Sequence, residues 1–323
     1  MAKDIRFYDF QFNLLYILAP FSKDTGYRSI NAEKNLNGSG ALEIVFSDPE
    51  LKKIVEEYKD TLLVSWRGFW GFITSWRWDK DLRLCGMHLN GLLHRSVIPP
   101  TNGEITGDIK TLLKDAIEIN IPWLEWEETG EKEYNITYKQ DSYTLADGYI
   151  EGMLDLSGTG YEITADVKNK SFKFHHIEKR ENPLMLSQSN LNAYDFETTY
   201  INKELAFGGW YKEEQEEDQE GNKPDAIWKY ISTDSSKEGI YKIDCVLSAT
   251  TFNDAQNELL KKRVKYEVLA KTKDIEYGKD YAIGDVIRVQ DEGVSLKKLV
   301  SGVRIWDENG YGEEPILTDF KEE

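Results

Sequence analysis

Four histidines, two cysteines and 58 carboxylates are the groups in this 323-residue sequence that could do acid–base or metal chemistry. His88 and His94 lie in Leu82–Pro100, and His175 and His176 are adjacent, just before Glu178. No HExxH-like pattern of metal ligands is present about His88 or His94. His88 and His94 therefore read as structural. Neighbouring strand residues point to opposite faces, so His175 and His176 cannot chelate one ion without distortion. Cys85 and Cys245 form no CxxC, so free buried thiols are expected, in keeping with synthesis in a reducing cytoplasm. No GxSxG, Walker A or Rossmann pattern occurs. Glycosidase carboxylates are defined by their separation in space, which acidic residues in a sequence do not give. No catalytic residue, cofactor or metal is expected.

Aromatic stacking is the other chemistry on offer. Leu62, Val64, Trp66, Trp70, Phe72, Trp76 and Trp78 fall on alternate positions about an Arg67-Gly68 turn. Such a row suits a sugar-binding face, but it suits better a hairpin packed into a core, since aromatic side chains bury large areas there. Trp78 adjoins an Asp79-Lys80-Asp81 turn and is expected to be the most exposed. Trp76, Trp78 and Trp306 are the candidate exposed aromatics or interface positions.

Forty Lys and Arg against 58 Asp and Glu leave a net charge of −18. Nucleic-acid binding needs clustered positive charge, so the balance argues against it. Glu213–Glu220 is a run of like charge, read as a solvated loop. It lacks the alternation and glycine of an EF-hand, which disfavours a calcium site. The N-terminus, Met1–Arg6, does not read as a signal peptide, so no leader is expected, and no apolar run reaches membrane-spanning length.

The elements that must position these groups are mostly strands. Ile5–Ile17, Tyr27–Ile30, Ala41–Phe46 and Leu82–Met87 are β-like, with a turn over Asn35–Gly40. Pro49 opens a helix, Thr106-Gly107-Asp108 caps one running to Ile119, and Ser142–Leu156 reads as another with Leu145, Tyr149, Met153 and Leu156 inward. A hairpin follows at Tyr161–His176. Ile240–Leu247 and Tyr266–Leu269 are strands around a helix that starts at Thr251. Tyr277–Val289 reads as an extended segment, a tight turn at Gly284-Asp285 and a strand. Gly284 is expected at positive φ, with Asp285 bonding to turn backbone. Leu299–Trp306 and the turn at Asn309-Gly310 complete a small antiparallel sheet or barrel.

Four stretches carry a resemblance: IRFYDFQFNLL at Ile5–Leu15; LRLCGMHLNGLLHRSVIPP at Leu82–Pro100; GYEITADVKNKSFKF at Gly160–Phe174; and LSQSNLNAYDFETTYINKELAFGGWY at Leu186–Tyr211, where Gly208-Gly209 would end a strand. With Tyr277–Val289 they resemble the tail-tip (baseplate) hub proteins of siphophages and prophages, related to the N-terminal part of tail-associated lysins. The resemblance implies a mainly β fold: a first hub barrel over 1–104, an α+β middle domain over 105–185, and a hairpin with a second barrel over 186–323. It also implies a homotrimer with no chemistry of its own. Its contacts would be the distal tail protein ring, the tape-measure C-terminus and receptor-binding or fibre proteins, at the tip of a virion tail. The chain is expected to lack room for the lytic domain of larger relatives. A carbohydrate-binding adhesin and a cell-wall hydrolase are the alternative classes.

Overall fold

The computed structural model describes the chain apart from residues 1–3, 21–25, 60, 79–81, 188–189, 191, 202–205, 214–225, 233–241, 251, 263–264, 273, 292–293, 309 and 321–323. The acidic run beyond Glu213 and the turn at 79–81 therefore lie outside the described residues. Contacts divide the chain into Met1–Tyr194 with Ala270–Glu323, and Asp195–Leu269.

The first unit opens with a hairpin of β1 (Ile5–Tyr8) and β2 (Leu14–Leu18). Asp9 closes its turn by accepting from the backbone N–H groups of Gln11 and Asn13. β3 (Tyr27–Asn35) and β4 (Ala41–Phe46) follow. The Asp48 carboxylate accepts from the N–H groups of Glu50 and Leu51 and so caps α1 (Pro49–Tyr58), whose first residue is proline. β5 (Leu63–Trp66) and β6 (Phe69–Trp78) turn at Arg67-Gly68, both at positive φ as a two-residue primed turn requires. β7 (Leu82–His88) completes this run and leads into a 3-10 segment, Leu89–Arg95.

A helical insert comes next. β8 (Val97–Ile98) and β9 (Ile105–Asp108) precede α2 (Ile109–Asn120), capped by Asp108. β10 (Leu124–Glu127), β11 (Asn135–Tyr138) and β12 (Thr144–Leu145) lead to α3 (Ala146–Ser157), which Gly158 ends in the left-handed region. The inward face of α3 is Ala146, Tyr149, Ile150, Met153 and Leu154. Leu145 and Leu156, expected inside, are 37% and 57% exposed. The reason is that Thr144 and Leu145 pair with Ile98 and Val97, so helical phase starts at Ala146. β13 (Gly160–Asp166) and β14 (Ser171–Ile177) form the expected hairpin. One core joins the insert to the β5–β6 hairpin: Leu113, Ile117, Met153 and Phe174 cluster with Leu63 and Phe72.

β15 (Arg180–Ser187) and β16 (Ala193–Ile201) lead into the second unit. There β17 (Gly208–Glu213), β18 (Ile227–Ser232) and β19 (Asp244–Val246) form a sheet in the order β18-β17-β19. Gly208-Gly209 opens β17 rather than ending a strand. A Cβ on Gly208 would collide with the Tyr230 hydroxyl and Asp244, so the glycines let neighbouring strands pack across them. α4 (Phe252–Lys261) sets Ala255 and Leu259 beside Tyr211 and Leu247 in a small core. β20 (Lys265–Thr272) pairs with β16.

The chain then returns to the first unit with β21 (Asp285–Asp291), β22 (Val294–Asp307) and β23 (Tyr311–Asp319). These do not form a separate sheet. β22 pairs with β3, Trp306 opposite Asn31, in an 11-stranded sheet of order β15-β21-β22-β3-β4-β7-β6-β5-β1-β2, with β23 on β22. β15 runs parallel to β21. The chain is thus mainly β with an α+β insert, and its strand path is open at β15 and β2 among the described residues.

Candidate functional site

Gly284 and Asp285 sit at the start of β21. Gly284 has φ +93°, and its N–H donates to the Val300 carbonyl at 2.9 Å. A Cβ there would lie 2.8 Å from Ile177 Cγ2 and 2.9 Å from the Glu178 carbonyl oxygen. The Asp285 carboxylate is buried. It accepts from the Ala282 N–H at 2.8 Å, from Asn182 Nδ2 at 2.7 Å and from Arg180 Nε. So Asp285 ties the turn to the opening residues of β15. Tyr277–Tyr281, expected to be extended, is instead a tight turn. Gly278 takes φ +79°, and its N–H donates to the Tyr281 carbonyl at 2.8 Å. Gly278, like Gly284, permits a backbone conformation that extended chain does not need.

A second polar knot was hidden in the sequence. Ile30, Ala32 and Lys34 alternate on the inward face of β3, so a lysine occupies a core position. Its Nζ meets Glu162 Oε1 of β13 at 2.7 Å and lies 5.6 Å from the centre of the Tyr277 ring. Burial, the largest single influence, opposes the Lys34 charge, but Glu162 and Tyr277 together outweigh it and hold the ammonium above its ordinary pKa. Burial likewise opposes the Glu162 charge, and Lys34 holds that carboxyl below its ordinary value. His88 lies 3.8 Å from Glu162, yet burial first and Lys34 second pull it down to about 3. A neutral His88 is no ion-pair partner. Its Nδ1 accepts from the Asn90 N–H at 3.3 Å and so caps the 3-10 segment. The only local signal was a lysine in phase with apolar neighbours.

The remaining histidines are held separately. His94 Nδ1 lies 2.8 Å from Asp147, His175 Nε2 is 2.7 Å from Thr164 Oγ1, and His176 Nε2 is 2.8 Å from Thr159 Oγ1. His176 is buried and pulled down to about 4, by burial and then by Lys110; His175 is half-buried on the other face of β14. Cys85 and Cys245 are free thiols, each half-buried. Among the described residues no group of three His, Cys, Asp or Glu side chains could hold a metal ion. No helix there is long and apolar enough to cross a membrane.

The aromatic row splits by burial. Trp66 and Phe72 are core residues, and Trp70 packs against Tyr8 and Phe12 with ring centres 5.3 and 6.4 Å away. Trp78 is half-buried, not exposed. It lies edge-to-face with Phe46 at 6.0 Å, below Lys52 of α1, and its Nε1 donates to Glu56 at 3.1 Å. Helix α1 covers it, and a hairpin read alone cannot show that. Trp76 stands beside it with ring centres 6.2 Å apart. Trp306, half-buried on β22, lies against Gly312 of β23.

No protein-family model matches the sequence, and no curated protein matches it. Solved structures match in fold. The 43 kDa tail protein of prophage MuSo2 from Shewanella oneidensis aligns with a TM-score of 0.56 at 12% identity, over 98% of this chain and 98% of that one. Prophage tail protein gp18 from Listeria monocytogenes EGD-e aligns at 0.56 and 16% identity, over 99% and 95%. A tail protein from Neisseria meningitidis MC58 aligns at 0.56 and 10%, over 97% and 95%. At such identities the likeness is one of fold. The chain has the fold of these tail proteins, the class that its sequence motifs resemble.

Proposed function

We propose that the chain is a structural component of a phage or prophage tail, a hub that closes the tail tube at its tip. One observation carries this reading: the likeness to the MuSo2 tail protein spans 98% of both chains, so it takes in the insert and the second unit as well as the main sheet. In this reading three copies form a ring. The ring joins the distal tail protein to receptor-binding or fibre proteins and meets the end of the tape measure. A net charge of −18 suits a surface that DNA must pass without sticking.

The chain acts without chemistry of its own in this reading. Support comes from the histidines, each hydrogen-bonded to a separate partner rather than gathered with a nucleophile. The test is to delete the gene from a phage or prophage that carries it and image the particles. Tails lacking their terminal assembly, restored by the gene in trans, are expected. Complete infectious tails without the protein would overturn the reading. Native mass should give three chains, alone or with the neighbouring ring. Release of muropeptides from purified wall would overturn the absence of chemistry.

A further inference from the structure

A groove of about 1010 Å³ runs along the outward face of β3, β4, β22 and β23, bounded by residues 274–276. Trp306 lies in it. The indole rests on Gly312, directly opposite on β23, where any Cβ would collide with Cζ2 and Cε2. The indole is thus braced by backbone at Gly312 while it also lines the groove. Asn31, exposed, stands opposite Trp306 on β3. Arg83 and Glu43 pair at 3.0 Å across the same groove, each a little under half exposed. Tyr311 closes one end, held by Arg67 at 4.0 Å over its ring and by Glu313 at its hydroxyl.

We propose that this groove binds a neutral saccharide, with Trp306 as the platform for a sugar ring. A pyranose has an apolar C–H face and a rim of hydroxyls that both donate and accept. A seated aromatic face matches the first. Planar amide, carboxylate and guanidinium groups at its edge match the second, because Asn31 can donate and accept, Glu43 accepts and Arg83 donates. Concave sites of this kind combine an aromatic wall with a few convergent polar groups. The charge of the lining narrows the class. Six carboxylates face two guanidinium groups along the groove, so an anionic polymer is repelled. The proposal does not rest on ring assembly, so each proposal fails or holds by its own test.

The test is calorimetric titration of the full chain with tetra-N-acetylchitotetraose and maltotetraose, and separately with tetralysine and a polyglycerol phosphate. Binding of at least one tetrasaccharide with Kd of about 1 mM or tighter is expected. Trp306→Ala should weaken it about tenfold or more, and Asn31→Ala, an exposed change, several-fold with the melting temperature kept. No heat from either tetrasaccharide at about 10 mM would overturn the proposal. So would binding that survives both substitutions. Binding of tetralysine or the polyanion in place of the sugars, lost on Trp306→Ala, would overturn it too and mark a different docking site. If Trp306→Ala fails to fold, Asn31→Ala decides: unchanged affinity overturns the proposal.

Discussion

Lys34 and Glu162 meet at 2.7 Å although 128 positions separate them in sequence. The pair joins β3 of the large sheet to β13 of the helical insert, and both side chains are largely out of water. Removing one partner of such a pair leaves a buried charge uncompensated, at about 3–5 kcal/mol. Lys34→Met and Glu162→Leu should each lose that much in urea denaturation. The double substitution should lose less than either, because two apolar side chains need no partner. Additive losses would show that the two residues act separately.

The same knot sets a pH dependence. Glu162 has a depressed folded pKa, so its contribution is present above the ordinary carboxylate range and lost as pH falls through the folded value. His88 works in the same direction by another route. Its folded pKa is about 3 against 6.5, so the unfolded chain binds a proton that the folded chain refuses. Stability should therefore fall as pH drops below about 6.5 and keep falling towards about 3. His176, at about 4, adds to the same slope. His88→Asn keeps a capping acceptor and should flatten part of it. A slope unchanged in that variant, read from melting temperature at several pH values, would mean that His88 is not buried and neutral.

Much of the fold was legible because its signals are local. Asp48 and Asp108 are capping residues ahead of apolar stripes, and Arg67-Gly68 is a turn between two aromatic strands. What the sequence hid is long-range. Pairing of Asn31 with Trp306 brings the two ends of the chain into one sheet, and no neighbouring residue announces that register. The phase of α3 is not legible from spacing alone, because Thr144 and Leu145, which fit a helical pattern, pair instead with Ile98 and Val97. The Asp285 cradle was half visible. The bond to turn backbone follows from residue type, whereas Arg180 and Asn182 arrive from a strand more than a hundred positions away.

Asp285 receives three donors and offers only acceptors. Asparagine is nearly the same size but turns one acceptor into a donor. Asp285→Asn should therefore set an N–H against another donor and remove the charge that Arg180 faces, at about 2–4 kcal/mol. Arg180 is well exposed, so Arg180→Ala should cost less than that. Chemical denaturation of both variants checks the order, and a larger loss from Arg180→Ala would contradict this account of the cradle.

Two glycines a few positions apart separate backbone strain from packing. Gly278 has φ +79° and nothing within 4 Å of an added Cβ. Gly284 has φ +93°, and its Cβ would press on Ile177 and on the Glu178 carbonyl. Gly278→Ala should therefore cost only the left-handed strain, about 1–2 kcal/mol. Gly284→Ala carries that strain plus a collision with backbone, which cannot swing aside as a flexible side chain can. It should cost about 3 kcal/mol or more. Gly284→Val, with a branched side chain, should exceed it. The loss should also fall on the join of β21 to β15, since the Arg180 N–H donates to the Gly284 carbonyl at 3.2 Å. Hydrogen exchange at Arg180 and at Gly284 or its replacement should speed up in the Gly284 variants and stay slow in Gly278→Ala. Equal destabilisation by the two alanine variants would show that φ alone, and not the contact with Ile177 and Glu178, requires glycine at position 284.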